Sequence, residues 1–305
     1  MDGLLIIDKP AGLTSHDVVA RVRRILKTKR VGHTGTLDPF ATGVMVILVG
    51  KATRLAQFLD KDEKEYEAEV RFGFETDTGD RTGSAKSKVQ SLKSVSHTDV
   101  ECVLHEFLGV IEQTPPMYSA KKVQGKKLYE LARKGVEIER KPVNVMIYEL
   151  EIIRGLEFNT MRNPDFGLWT LDFGLKVVCS AGTYIRTLAE DIGRKVGTGA
   201  HLAELRRTRA GKFDLLHSVS LEKLEELNDP EKCLIPMNAA VEHLPKIILS
   251  EVRAEKTKNG LSTRFDDGEL EDGQAVQMID EYENLIAIGF YNVTEKVVQP
   301  KVVLS

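Results

Sequence analysis

Gly32-His33-Thr34-Gly35-Thr36-Leu37-Asp38-Pro39-Phe40-Ala41-Thr42-Gly43 gathers small and turn-forming residues around one carboxylate, Asp38. Gly32, Gly35 and Gly43 permit backbone geometry that other residues resist, so a ligand or a neighbouring strand can approach closely. Pro39 biases Asp38 away from helix and toward an extended or turn conformation. Taken alone, such a stretch reads as an Asp-Pro turn with satisfied hydroxyls. The apolar run that follows, Val44 to Val49, reads as a buried strand and is far too short to cross a bilayer.

Upstream, Ser15 followed by Asp17 marks a helix start, with Val18, Val22, Ile25 and Leu26 at helical spacing. Downstream, Tyr66, Ala68, Val70, Phe72 and Phe74 alternate with Glu65, Glu67, Glu69 and Arg71, the pattern of a half-buried strand. Thr98 with Glu101 reads as a capping box for a helix carrying Val100, Val103, Leu104 and Phe107, stopped by Gly109. Pro115-Pro116 opens a lysine-rich segment with a short helix around Leu128 and Leu131, ending at Gly135. Alternation returns at Val143, Val145 and Ile147, and again from Trp169 through Leu171, Phe173, Leu175 and Val177. A helix then carries Ile185, Leu188, Ala189, Ile192 and Val196, stopping before Gly197. Strands interleaved with helices and joined partly by hairpin-like turns predict an α+β fold with a mixed, largely antiparallel sheet.

At 305 residues the chain has room for a large and a small domain, and 42% apolar with 29% charged residues is ordinary for a globular protein. No basic region followed by a long apolar core precedes Leu4 to Ile7, so a cytoplasmic protein without membrane attachment is expected. The three cysteines are far apart and the seven histidines show no ligand spacing, which predicts neither a disulfide framework nor a metal. Gly50-Lys51-Ala52-Thr53 lacks the upstream glycine of a P-loop, and no dinucleotide fingerprint appears.

The net charge of −3 is unevenly spread. Arg21, Arg23, Arg24, Lys27, Lys29 and Arg30 form one basic cluster, Lys121, Lys122, Lys126 and Lys127 a second, and Arg206, Arg207, Arg209 and Lys212 a third. Such clusters beside a loop of this kind point to a polyphosphate partner. Residues 248 to 305 instead hold 6 basic and 11 acidic residues, and read as one helix from about Glu251 to Asn259 followed by strands near Ala275 to Ile279, Leu285 to Tyr291 and Val297 to Val303.

The Gly32 to Gly43 stretch resembles the catalytic loop of the bacterial tRNA pseudouridine-55 synthases, the TruB family. The resemblance extends to Asp8-Lys9-Pro10-Ala11-Gly12-Leu13-Thr14-Ser15, Lys64-Glu65-Tyr66, Phe72-Gly73 with Thr76-Asp77-Thr78-Gly79-Asp80, and Pro115-Pro116-Met117-Tyr118-Ser119-Ala120. It continues through Gly182-Thr183-Tyr184-Ile185-Arg186-Thr187 and Gly199-Ala200-His201 with Leu205-Arg206-Arg207, in family order across residues 1 to about 245. It implies a pseudouridine-synthase-like catalytic domain over 1–245, with a thumb-like insertion about 113–140, and a small PUA-like RNA-binding β-barrel over 246–305. The acidity of the tail predicts little phosphate binding there.

The implied reaction turns uridine 55 in the T-arm loop of tRNA into pseudouridine, breaking a carbon–nitrogen glycosidic bond and rebuilding it as carbon–carbon. No redox change or energy input is involved, so no cofactor is expected. Asp38 resembles the nucleophile, which attacks the base, attacks the sugar or first removes a sugar proton; Arg186 would keep it ionised and orient it. By the same resemblance Tyr66 stacks on the uracil and assists proton removal from carbon 5, Tyr184 and Leu205 complete the pocket wall, and His33 contacts the everted nucleotides. Lys9 and Pro10 read as supports for the loop.

The expected partner is the tRNA T-arm, with no obligatory protein partner and a monomeric chain. A guide-RNA-dependent, dyskerin-like relative shares the core motifs, and the Pro115 to Gly135 segment favours the stand-alone type. A non-catalytic RNA-binding protein is disfavoured by intact Asp38, Tyr66 and Arg186, and a small-molecule enzyme by the basic clusters.

Overall fold

The structure is a computed structural model that describes residues 1–59, 61–86, 95–119, 121–123, 125–132, 134–159, 170–266 and 269–304. Trp169, Ala120 and Asp267, and the side chains of Lys122, Lys126 and Lys127, lie outside the described residues.

Two strands are buried on both sides because their side chains are apolar on both faces. In Gly3–Lys9 and Thr42–Val49, Leu5, Ile7, Met45, Ile47 and Val49 enter one core, while Leu4, Ile6, Val44, Val46 and Leu48 enter another. Each such side chain contributes on the order of 2 kcal/mol on leaving water. The two strands pair antiparallel from Gly3 with Val49 to Lys9 with Gly43.

Around this pair the described residues form a ten-stranded sheet. Its path runs Val219–Ser220, Gly3–Lys9, Thr42–Val49, Ala200–Ala210, Lys64–Phe72, Thr170–Cys179, Val143–Asn159, Gly109–Gln113. Most pairings are antiparallel; Gly3–Lys9 with Val219–Ser220 and Ala200–Ala210 with Thr42–Val49 are parallel. The expected mixed, largely antiparallel sheet is therefore present. The alternation from Tyr66 is also realised, with Tyr66, Ala68, Val70 and Phe72 buried. The Ser15–Ile25, His97–His105 and Ile185–Val196 helices pack their apolar residues against the core on the face of Leu5, Ile7 and Met45.

Helix caps modify the sequence reading in two places. Thr14, not Ser15, caps the first helix in a box with Asp17, which frees Ser15 to point inward. The third helix begins at His97 under a box of Ser96 with Asp99, so Thr98 is already inside it and Glu101 faces His97 instead. It ends at His105, four residues short of Gly109, whose φ of +87° opens the edge strand Gly109–Gln113. The Ile185–Val196 helix stops as expected, on Gly197 in the left-handed conformation.

The second sheet begins at Lys246–Leu249, directly after the composition change at Pro245, and runs through Ala275–Asp280, Leu285–Asn292 and Val297–Val303 to Thr263–Arg264. These five strands make an open, curled half-barrel. Ile279, Leu285, Ile288, Val302 and Leu304 share a core with Leu4, Ile6 and Val46 on the reverse side of the large sheet.

Gly43 marks a close approach between Thr42–Val49 and Ala200–Ala210. Its φ is +103°, and a Cβ there would stand 2.1 Å from the carbonyl oxygen of Arg207 on the parallel neighbour. Gly43→Ala is expected to lower stability by more than about 2 kcal/mol in urea denaturation, a loss below about 1 kcal/mol contradicting this packing. Ser96→Ala should cost about 1 kcal/mol and Thr98→Ala less than about 0.5 kcal/mol, and the reverse order would restore Thr98 as the cap.

Candidate active site

Between the Val31–Thr34 strand and Thr42–Val49 the chain makes a loop that buried side chains fasten through its carbonyls. Lys9, fully buried, donates from Nζ to the carbonyls of Ala41 at 2.6 Å, Pro39 at 3.2 Å and Pro10 at 3.0 Å. Its burial lowers the amine pKa to about 8, against the pull of the Asp38 carboxylate. Arg207, 1% exposed, donates from Nε to Val44 O at 2.6 Å and from Nη2 to Gly35 O at 3.1 Å. Ser15 Oγ donates to Leu37 O and accepts from Leu37 N–H, at 3.1 and 2.9 Å. The loop is thus gripped on both sides of Asp38, and Lys9 has the supporting place read from the sequence.

Asp38 meets Arg186 in a bidentate pair, Nε to Oδ2 at 2.8 Å and Nη2 to Oδ1 at 3.1 Å. The guanidinium is 5% exposed and is fixed from behind, with Nη1 donating to Thr78 O at 2.8 Å and Nη2 to Tyr118 O at 2.7 Å. Asp80 Oδ2 stands 3.9 Å from Nη1. Asp80 is in turn held through Oδ1, which accepts from Thr78 Oγ1, Thr82 N–H and Thr82 Oγ1. Burial pushes the Asp38 carboxyl above the ordinary aspartate value; the Arg186 charge opposes the rise and Asp80 adds to it. Removing one member of such a buried pair costs about 3–5 kcal/mol, because the other charge is left without compensation.

The Asp38 side chain is 30% exposed, and that open part faces hollows on two sides. One is a cavity of about 260 Å³ lined by Asp38, Tyr66, Tyr184, Arg186, Leu205 and Lys64. The other, of about 500 Å³, shares Asp38 and Arg186 and extends along His16, Phe40, Tyr118 and Tyr129. Tyr66 projects from its strand opposite Arg207, and the charge of that guanidinium offsets part of the upward shift that burial imposes on the phenol. Tyr184 caps the Arg186 helix, and the buried Gln113 amide clips its backbone by accepting from Tyr184 N–H at 2.9 Å and donating to Tyr184 O at 3.2 Å.

Asp38, Tyr66, Tyr184, Arg186 and Leu205 therefore converge on one cavity. His33 is not among its lining residues. It lies behind His16, ring centroids 6.0 Å apart and edge-on, with a buried Nδ1 that has no partner among the described residues. Burial, with His16 and Arg207 nearby, lowers its pKa to about 4, so the imidazole is neutral near pH 7.

The third basic cluster is largely paired within the fold, and only Arg207 of it is buried. Arg207 is turned inward onto the loop, Arg206 pairs with Asp8 at 2.8 Å, and Lys212 pairs with Glu242 at 2.6 Å. Asp80, Gln113, Ser15 and Arg207 are the residues that sequence reasoning did not assign to the site. Asp80, Ser15 and Arg207 stand inside recognised blocks, where their proximity to Asp38 had no separate signal. Gln113 had none at all. Among the described residues no group of three or more His, Cys, Asp and Glu side chains forms a metal-holding set, and no helix is long and apolar enough to cross a membrane.

Comparison with known proteins identifies the family of the chain. The model of the TruB family pseudouridylate synthase N-terminal domain matches residues 23–185, and that of the tRNA pseudouridylate synthase B C-terminal domain matches 186–242. The chain is 47% identical over 268 residues to tRNA pseudouridine synthase B of Geobacillus thermodenitrificans, covering 87% of this chain and 86% of that one. It is 40% identical over 301 residues to tRNA pseudouridine synthase B of Bacillus subtilis, covering 97% and 95%. Among solved structures, a chain of a Cbf5-Nop10-Gar1 complex superposes with a TM-score of 0.72 at 28% identity, over 99% of this chain and 85% of that chain. A chain of an H/ACA RNP bound to a substrate RNA containing 2'-deoxyuridine gives 0.73 at 26%, with the same coverage. With family models spanning the Asp38 loop and the Arg186 helix, and relatives this similar over most of its length, the chain belongs to the TruB family of pseudouridylate synthases.

Proposed function

We propose that this protein is a stand-alone, cofactor-free tRNA pseudouridine synthase acting on uridine 55 of the T-arm loop. The observation that carries the reading is the Asp38–Arg186 pair opening onto a cavity walled by Tyr66, Tyr184 and Leu205. A uracil inside a folded loop must leave its stack to enter such a cavity, at a cost of roughly a few kcal/mol that contacts with aromatic walls offset. Asp38 then acts as the nucleophile, held in line by Arg186, and the transient bond that it makes to the base or to the ribose C1′ breaks again before the product leaves. The bond between N1 and the ribose C1′ breaks, the ring turns while enclosed, and C5 bonds to C1′. The C5 proton departs with help from the Tyr66 hydroxyl, and N1 carries a proton in the product.

Identities of 40–47% to curated tRNA pseudouridine synthase B relatives, against 26–28% to the Cbf5-containing complexes, support the stand-alone type. In this reading residues 1–245 form the catalytic domain, the segment about 113–140 closes over the RNA, and 246–305 form a PUA-like domain. His33 contacts everted nucleotides through a cleft that His16 lines. The protein works as a monomer in the cytoplasm with the T-arm as its partner.

Incubation of the purified protein with an unmodified T-arm hairpin and no added cofactor should yield pseudouridine at the position equivalent to 55, and product elsewhere or none would overturn the assignment. Asp38→Asn should abolish isomerisation while hairpin affinity stays within about threefold, since little surface is lost; turnover near wild type would remove Asp38 from its role.

The pH profile supplies a further check. Asp38 must be ionised to attack, and its carboxyl in the folded protein titrates above the ordinary value of 3.8. Activity should therefore fail on acidification in a window above pH 3.8, and this group contributes no loss of folding stability there, because a raised carboxyl pKa favours the protonated native state. An acid limb of kcat/KM at or below the ordinary aspartate value would contradict the burial of Asp38.

A further inference from the structure

The exposed face of the Ser15–Ile25 helix runs away from the catalytic cleft toward unpaired positive charge. His16 lines the cleft that Asp38 shares, and His16, Ala20 and Arg24 succeed one another at helical i, i+4 spacing on the exposed side, with Lys27 just past the cap residue Leu26. From His16 to Lys27 the rise is roughly 16 Å, about five phosphates at the axial spacing of a nucleic-acid strand. Ala20 leaves the middle of the stripe low, so a backbone can lie along it.

Arg24, Lys27 and Lys29 are exposed, and their side chains have no ion pair or hydrogen bond among the described residues. Their neighbours are engaged: Arg21 pairs with Glu222 and Glu225, Arg23 donates to Val31 O, and Arg30 donates to Thr53 Oγ1. No acidic residue occurs between Asp17 and Asp38. Lys27 also sits in the left-handed conformation, φ +49°, in the position after a helix cap where glycine is relaxed. A lysine there keeps a charge at the expense of backbone strain.

We propose that His16, Ala20, Arg24 and Lys27, with Lys29 beside them, form a track for the phosphodiester backbone of the RNA stem that carries the target loop. This rests on the RNA-modifying reading above and extends it from the loop to the stem. The track holds one strand of the stem by charge, without reading bases, and so sets the angle at which the loop enters the cleft.

The test measures equilibrium binding of a T-arm hairpin with a five-base-pair stem at 50 to 200 mM salt, in the Asp38→Asn background. Arg24→Gln with Lys27→Gln should weaken binding roughly threefold per cation and reduce the salt slope by about one for each. Arg21→Gln, which removes a charge already paired within the fold, should leave the slope unchanged. Lys27→Gly separates function from structure: it should lose affinity while the melting temperature stays the same or rises.

An unchanged slope in the double variant, an equal change in Arg21→Gln, or a Lys27→Gly variant that melts lower and binds normally would overturn the track and leave a solvated helix end favoured only by the helix dipole. If the hairpin is isomerised by the unaltered protein while the slope does not move, this inference alone fails. If the hairpin is not isomerised, the functional reading itself fails.

Discussion

Everything in the site hangs on the bidentate contact between Arg186 and Asp38, and that contact exists because each partner is held from behind before they meet. Arg186 arrives in the first turn of a helix whose cap, Tyr184, is pinned by Gln113, and its remaining donors are taken by Thr78 and Tyr118. Asp38 arrives on a loop fastened by Lys9, Ser15 and Arg207. Neither side chain is free to relax toward solvent. Burial makes the Asp38 carboxylate less comfortable ionised than in water, and Arg186 restores part of that loss.

The loop also shows how a fold can satisfy carbonyls with buried cations. Lone buried carbonyls are costly, and cationic donors satisfy more than one each. Lys9 serves three and Arg207 two. The cations that do this come from Gly3–Lys9 and from Ala200–Ala210, the strands that flank Thr42–Val49, so the sheet itself supplies the clamps. Charge that composition would assign to RNA is thereby used inside the protein, while the first cluster keeps Arg24, Lys27 and Lys29 outside.

Much of this was legible in sequence. The period-two pattern from Tyr66 and the continuous apolar run from Val44 gave a half-buried and a doubly buried strand, because side-chain alternation reports burial directly. The Ile185 to Val196 helix was legible down to its glycine stop. The cap at Ser96 was misplaced by two residues because Thr98 with Glu101 and Ser96 with Asp99 offer the same chemistry in overlapping frames, and only tertiary packing chooses between them. For the site, the blocks identified Asp38, Tyr66, Tyr184, Arg186 and Leu205, which do converge. Asp80, Gln113 and the inward turn of Arg207 depend on contacts across 70 to 170 residues of chain, and no local pattern encodes those.

The reverse side of the large sheet carries a last consequence. Leu4, Ile6, Val44, Val46 and Leu48 find cover only in part from their own half of the chain, the rest being Ile279, Leu285, Ile288, Val302 and Leu304. A shortened protein ending near Pro245 would lay bare a greasy wall on the strands that carry Lys9 and adjoin the catalytic loop. The inward residues of the acidic tail thus share one packed layer with the strand that clamps the Asp38 loop, while its charges stay on the outside.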